Sequence, residues 1–246
     1  MQDHYYTATY NVELNHWWYR VRRKIINSII EKEAKEKKRG LDILDIGCGT
    51  GALINELQKY GKVVGIDRSE EALNFCRERG ITDVKLGSAA KIPESDKKYD
   101  AVMALDLLEH LDDDREAMRE IKRVLRPDGI AIIFVPAFMF LWGVTDVASE
   151  HKRRYTKKEL ISKLTKEGFE IKRASYFNTF LFPPIAFVRL LSKLYSPKRK
   201  SDFITGDGFL NELLYRIFLL EALTLKFANF PFGVSIMAIA KPHQKI

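Results

Sequence analysis

The chain of 246 residues is 46% hydrophobic and 30% charged, with a formal net charge of +8 and a pI near 9.3. That length buries one sizeable core, so a single α/β domain with additions is expected, and two cysteines, Cys48 and Cys76, exclude a disulfide framework or zinc-ligand spacing and point to reducing cytoplasm. The excess of Lys and Arg points to an anionic acceptor, an anionic membrane surface or nucleic acid, unless it is only a solvated Lys-rich surface.

Residues 1–39 precede the first strand pattern. Their opening, MQDHYYTATYNVELNHWWYR, lacks a basic segment followed by an apolar one and does not read as a signal peptide. From Tyr19 to Ile30, Val21, Ile25, Ile26, Ile29 and Ile30 recur at helical spacing among Arg and Lys, which predicts an amphipathic helix packed by its apolar face. The segment before it is unusually aromatic.

Residues 41–67, LDILDIGCGTGALINELQKYGKVVGID, read as strand, glycine loop, helix, strand and acidic residue. Gly47, Gly49 and Gly51 fall on the first turn, where missing Cβ atoms allow a sharp bend and close approach of a ligand. Asp67 ends the second strand, where a carboxylate can accept hydrogen bonds from both hydroxyls of a ribose, so an adenosine-containing cofactor is expected. The spacing is G-x-G-x-G rather than the dinucleotide G-x-G-x-x-G, and Asp45 just ahead of it would repel a pyrophosphate but suits an ammonium group.

DIGCGTG followed by GID resembles the class I S-adenosylmethionine-dependent methyltransferases, and the resemblance runs from about residue 10 to the C-terminus. It implies a Rossmann-like α/β fold: a seven-stranded sheet with its last strand antiparallel, residues 1–39 as an N-terminal helical lid, 40–176 and 232–246 as the core, and 177–231 as a helical insertion. It implies S-adenosylmethionine as cofactor, held by Trp18, Asp45, Gly47, Cys48, Gly49, Gly51, Asp67, Arg68, Ser88, Ala89, Asp106 and Leu107, in a reaction that requires no metal. Similar members carry H-W-W-Y/F and an Arg pair in the lid, matched here by His16, Trp17, Trp18, Arg22 and Arg23. Trp17 or Trp18 can cover the sulfonium, and Arg22 or Arg23 can meet the cofactor carboxylate; ordinary packing is the alternative.

After Asp67, Ser69 is placed to cap a helix over Glu70 to Arg79, which Gly80 stops, and Asp83 to Leu86 is a third strand. Where the resemblance usually places an Asp for the adenine amino group this chain has Ser88, so that contact is weaker or falls to the Ala89 backbone. Tyr99 to Leu105 is a fourth strand running into DLLEHLDDD, so Asp106, Glu109 and His110 sit at the carboxyl end of a central strand, where doubly wound sheets place ligands. His110, with an unperturbed pKa of about 6.5, is a candidate general base, or else a brace for the cofactor loop. Asp112 to Asp114 read as a solvated start of a helix over Arg115 to Leu125 rather than a metal cluster. The exit from strand four lacks the Pro-Pro turn of enzymes that methylate exocyclic base nitrogens, so DNA is not expected as a partner, and RNA, suggested by charge alone, is not expected either.

RPDG, Arg126 to Gly129, reads as a turn before strand five, IAIIFVP. The loop that follows carries Trp142, Asp146, His151, Arg153, Arg154 and Tyr155, a pattern found in similar bacterial methyltransferases. His151 is the first candidate for the base, ahead of His110 and Asp106, with Arg153 or Arg154 binding an anion such as phosphate; the alternative has His151 and Tyr155 bracing the loop. A capping box at Thr156 to Glu159 opens a helix to Lys166, Phe169 to Ser175 is strand six, and the last strand, Val234 to Ala240, comes about 55 residues later.

Between them lie two apolar helix-like segments joined by a basic linker. Interrupted by Pro183, Pro184 and Arg189, the first is too short to span a membrane, whose hydrocarbon core takes roughly 20 apolar residues. An interfacial hairpin, with Lys193, Lys198, Arg199 and Lys200 beside apolar faces, stands against a buried helical cap or a homodimer interface. The closest resemblance is to methyltransferases often encoded beside glycosyltransferases working on lipid-linked sugars, which implies an oxygen or nitrogen acceptor on a small molecule, glycan or lipid-linked molecule, at the inner face of the membrane. A quinone or secondary-metabolite acceptor, or a non-catalytic cofactor-binding subunit, is the alternative.

Overall fold

The computed structural model describes residues 3–195 and 208–243. In chain order the elements are α1 (Asp3–Val12), α2 (Trp17–Lys37), β1 (Leu41–Ile46), α3 (Ala52–Leu57), β2 (Gly61–Asp67), α4 (Glu70–Glu78), β3 (Val84–Leu86) and β4 (Tyr99–Leu105). There follow α5 (Asp114–Val124), β5 (Leu125–Pro136), α6 (Val144–Ala148), α7 (Lys157–Lys166), β6 (Phe169–Phe177), α8 (Phe182–Tyr195), α9 (Phe209–Leu225) and β7 (Ser235–Pro242). The strands form one sheet in the order β3-β2-β1-β4-β5-β7-β6, in which β7 is antiparallel to both neighbours. This is the seven-stranded α/β sheet, with its last strand antiparallel, that the sequence predicts.

Local chemistry sets the helix ends. His16 caps α2 by accepting the Trp18 amide, and Lys38 closes it in the left-handed region. Ser69 caps α4 by accepting from Ala72, and Thr156 and Glu159 form the capping box of α7. Asp113 caps α5, but Asp114, expected in solvent, is buried and accepts hydrogen bonds from Tyr155 (2.7 Å) and Lys163 (2.5 Å). RPDG is not a free turn. It belongs to β5 as an irregularity in the pairing with β4, since Tyr99 pairs with Leu125 while Ala101 pairs with Ile130. The cause is charge: Arg126 reaches Asp100 at 2.5 Å and Asp42 at 2.8 Å across the base of the sheet. Burial opposes ionisation of Asp100, yet Arg39, the Asp42 amide and Arg126 outweigh it and hold the carboxyl at about 2.

Each face of the sheet carries its own core. Met118, Ile121, Leu160 and Leu164 of α5 and α7 cover one. Val21, Ile25, Ile26 and Ile30 of α2, Ile54 and Leu57 of α3, and Phe218, Ala222 and Leu225 of α9 cover the other. The 177–231 segment is therefore not a detached appendage, because α9 fills the second core beside α2. Phe218 stacks on Phe177 of β6 with centroids 6.3 Å apart and meets Trp17 edge-on at 5.8 Å. The outer sides of α8 and α9 expose Phe187, Leu190, Phe209, Leu213 and Leu220. The side chains of Lys193, Lys198, Arg199 and Lys200 lie outside the described residues. No described helix is long and apolar enough to cross a membrane.

If α9 is integral to the core, Phe218→Ala leaves a cavity under α2 and lowers stability by about 3–5 kcal/mol in urea unfolding. A loss within about 0.5 kcal/mol would mean that α9 is dispensable to the fold.

Candidate active site

A cavity of about 580 Å³ opens at the carboxyl ends of β1, β2, β4 and β5. Its floor is the glycine loop. Gly47 and Cys48 donate backbone N–H bonds to the Ile66 carbonyl at 2.7 and 3.1 Å, which folds the loop back onto β2. Gly47 sits at φ +71°, which L side chains rarely adopt, and a Cβ there would press on the Leu107 side chain at 3.0 Å. Gly51 departs from expectation, for it does not line the cavity. It turns the chain into α3 at φ +80°, and a Cβ there would press on Ile81 at 2.7 Å and Cys76 at 2.8 Å, so it seats the loop on α4 instead.

Two carboxylates flank this loop. Asp67 accepts from the Gly49 amide at 2.9 Å and the Ser69 amide at 3.0 Å, with the Tyr6 hydroxyl at 3.5 Å. Asp45 is also buried, and burial together with repulsion from Asp67 pushes its carboxyl up to about 7, against the pull of Arg22. Arg68, Ser88 and Ala89 continue this wall. α1 is fastened beside it by Glu13, which pairs with Arg79 at 2.8 Å and accepts from the Thr50 hydroxyl.

The lid aromatics divide. Trp17 is buried against Phe218, whereas Trp18 lies under the Arg22 guanidinium at 4.0 Å. Arg22 is ion-paired with Asp106, which ends β4 at φ +52°. Arg23 instead reaches Glu56 at 2.7 Å and the carbonyls of Glu13 and Leu14. Cys48, Gly49, Asp106, Leu107, His110 and His151 all line the same cavity, together with Trp18, Asp45, Gly47 and Asp67.

The opposite wall is organised by Asp146, which is fully buried. It accepts from His151 Nδ1 at 2.8 Å, from Arg154 at 2.7 and 2.9 Å, and from the Gly143 amide at 2.7 Å. Burial opposes its charge, but His151 and Arg154 hold it well below the usual carboxylate range. His110 meets His151 edge-to-face, with ring centroids 4.7 Å apart. Burial and the neighbouring His151 lower the His110 pKa to about 3, so its unperturbed value does not apply and it is a poor base near neutrality. Neither arginine of the pair presents a free fork. Arg154 is committed to Asp146, and Arg153 to the Leu111 and Asp112 carbonyls at 2.8 and 2.7 Å. Tyr155 braces the loop through Asp114 and the Pro136 carbonyl.

The roof is what the sequence did not reveal. Leu181, Ile185, Val188 and Leu214, from the 177–231 segment, close the cavity with apolar side chains. Helical spacing identifies those residues as apolar, but nothing local says which surface they meet.

Residues 44–133 match the family described as a methyltransferase domain. The match runs from β1 to β5, the strands whose ends carry the glycine loop, Asp67 and Asp106, so over that stretch the chain is similar to methyltransferase domains. A Mycolicibacterium smegmatis protein named a probable S-adenosylmethionine-dependent methyltransferase is 30% identical over 166 residues, covering 65% of this chain and 62% of that protein. A ubiquinone biosynthesis O-methyltransferase of Rickettsia bellii is 33% identical over 133 residues, covering 48% of this chain and 55% of the relative. This chain thus spans about three fifths or less of the length of those relatives. Among solved structures, an S-adenosylmethionine-dependent methyltransferase from Mesorhizobium loti superposes with a TM-score of 0.56 at 17% identity, covering 82% of this chain and 91% of that one. The [4+2]-cyclase SpnF gives 0.56 at 21%, covering 89% and 82%. These likenesses establish the fold.

The raised Asp45 carboxyl has a consequence for stability. Below about pH 4 both folded and unfolded chains hold this proton; as pH rises to about 7 only the folded chain does, and the cost of burying the carboxylate grows until it levels off above that. Asp45→Asn therefore gains on the wild type between about pH 5 and pH 7.5, on the order of a few kcal/mol in urea unfolding. An equal difference at both pH values would contradict a raised Asp45.

Proposed function

We propose that the chain transfers the methyl group of S-adenosylmethionine to an oxygen or nitrogen of a small-molecule or lipid-linked acceptor. The observation that carries this reading is the pair of buried carboxylates, Asp45 and Asp67, on either side of a glycine loop in the floor of one cavity. The cofactor fits what is there. Two carboxyls side by side, one holding its proton up to about pH 7 because of the other, both gain from a cationic ligand, and a Cβ at Gly49 would meet nothing within 4 Å, so the loop leaves an open cradle.

Bound there, the cofactor supplies an already activated, positively charged methyl group. Asp67 would accept hydrogen bonds from the ribose hydroxyls, and Asp45 would hold the ammonium group. Trp18 with Arg22 and Asp106 closes the side toward the lid. The acceptor lies between the apolar roof and the His110–His151 corner. With His110 held neutral and weakly basic, His151, oriented through Nδ1 by Asp146, is the group available at Nε2 for an acceptor proton. Alignment of nucleophile, methyl and sulfur supplies the greater part of the acceleration. The fold by itself does not dictate methyl transfer, since SpnF shares it.

Calorimetric titration should show S-adenosylmethionine and S-adenosylhomocysteine binding at micromolar concentration and NAD not binding. In Asp67→Ala of unchanged circular dichroism, affinity should fall about 100-fold, the cost of two lost hydrogen bonds to a charged group. Equal binding in the variant, or binding of NAD, would remove the cofactor reading.

A lipid-linked acceptor is favoured over a freely soluble one by the apolar roof and by Phe187 and Phe209, which are 64% and 84% exposed on the two helices that form it. In sedimentation with vesicles of anionic lipid the wild type should pellet, and Phe187→Glu/Phe209→Glu should partition at least about tenfold less. Wild type left in the supernatant would count against the lipid-linked acceptor, and self-association in its place would assign the face to a second copy.

A further inference from the structure

Three acidic side chains lie near the His110–His151 corner, Asp106 partly exposed and Glu109 and Asp146 fully buried, and two of them have cationic partners. Asp106 is paired with Arg22, and Asp146 with Arg154. Glu109 differs. It is fully buried, and among the described residues no other residue hydrogen-bonds either of its oxygens. Its nearest counterpart is His151 Nε2, 4.0 Å from Oε1.

One donor atom each from Glu109, His110 and His151 lies within 4.8 Å of the others, and both imidazoles line the cavity. The geometry points to a binding site for a divalent first-row transition-metal ion, held by the Glu109 carboxylate and the two imidazoles. Ligands about 2.0–2.2 Å from such an ion stand about 3.0–3.5 Å apart, which small rotations of these side chains reach. Two nitrogens and one oxygen suit Zn²⁺, Co²⁺ or Fe²⁺ rather than Mg²⁺ or Ca²⁺, which prefer oxygen alone.

The surroundings are those of a built ligand set. Asp146 takes the hydrogen bond of His151 Nδ1, which leaves Nε2 unprotonated with its lone pair on the side of Glu109, the carboxylate–histidine arrangement that fixes the tautomer of a ligating imidazole. Asp146 is itself locked by Arg154 and the Gly143 amide, so the imidazole has little freedom to turn away. The Lys152 amide donates to the Glu109 carbonyl at 2.8 Å, tying the loop that carries His151 to the turn that carries Glu109 and His110. Three protein ligands leave coordination positions open, and the cavity gives access to them. Their occupant is an oxygen of the acceptor, a hydroxyl or a phosphate. This role rests on the function proposed above, with the ion in place of His151 Nε2 as the group that lowers the acceptor pKa. The binding of the ion does not rest on it.

The test uses the full chain, free of any histidine tag and stripped with a chelator. Zn²⁺ is titrated calorimetrically and Co²⁺ is followed by its visible absorption, with S-adenosylhomocysteine binding measured on the same samples. About one ion per chain is expected. Glu109→Gln, a nearly isosteric change that removes an oxygen ligand, and His151→Ala should each weaken uptake about 100-fold and abolish the Co²⁺ spectrum, while Asp146→Asn should cost about 10–100-fold. Thermal unfolding of the ion-free proteins reports whether the variants are folded. No uptake by the wild type, or undiminished uptake by both Glu109→Gln and His151→Ala, would overturn the site. Uptake in a wild type that binds no S-adenosylhomocysteine would support the ion site and remove the cofactor reading, so the two failures are distinct.

Discussion

The cavity exists because the strand order reverses between β1 and β4. β2 and β3 are laid down on one side of β1, and β4 starts the other half of the sheet, so the connections that leave the carboxyl ends of β1 and β4 diverge and leave a crevice. Everything of chemical interest is hung on the rim of that crevice. The glycine loop follows β1, Asp67 ends β2, Asp106 to His110 follow β4, and the loop carrying Asp146 and His151 follows β5. Backbone pairing in the parallel centre of the sheet places these ends at one level, and the two apolar cores hold them there.

Within the crevice the governing problem is buried charge. A carboxylate taken out of water is costly unless it is paired or well hydrogen-bonded. The chain solves this differently on the two walls. Asp146 is saturated by an arginine, a histidine and an amide, and so acts as a rigid post. Asp67 is satisfied by backbone amides of the loop it braces. Among the described residues Glu109 has no such complement and Asp45 has the pull of Arg22, and burial raises the pKa of both. Groups left in that condition cost stability and mark where a ligand of opposite charge has most to gain.

The second face of the sheet shows how an addition becomes part of a fold. Without α9, Phe177 and the apolar side of α2 would face water. With it, Phe218 closes a cluster that joins strand, lid helix and insertion. Burial of those side chains is worth several kcal/mol on transfer grounds alone. The outward sides of the same helices keep large apolar residues in solvent, a cost with no return in the isolated chain and the ground on which a lipid-linked acceptor is proposed.

The succession of strands along the chain, the glycine turn, the acidic end of β2 and the caps at Ser69 and Thr156 were legible in the sequence, because each depends on residues within a few positions of one another. Apolar runs mark strands, Ser69 and Thr156 cap the helices they precede, and glycine serves the turns at Gly47 and Gly51, where φ is positive beside packed neighbours. What only the tertiary structure decided are the contacts between residues far apart in the chain. Gly51, read with its neighbours as a ligand glycine, serves the packing of α4 because Ile81 and Cys76 stand against it. The arginines at 153 and 154, read as an anion site, are spent on carbonyls and on Asp146. Glu109 and His151 are separated by about forty residues of strand and loop, and no spacing rule connects them. Only the return of the β5 loop over the end of β4 sets an unpaired carboxylate beside an imidazole, because a sequence specifies local conformation directly but fixes which side chains share a cavity only through the packing of the whole sheet.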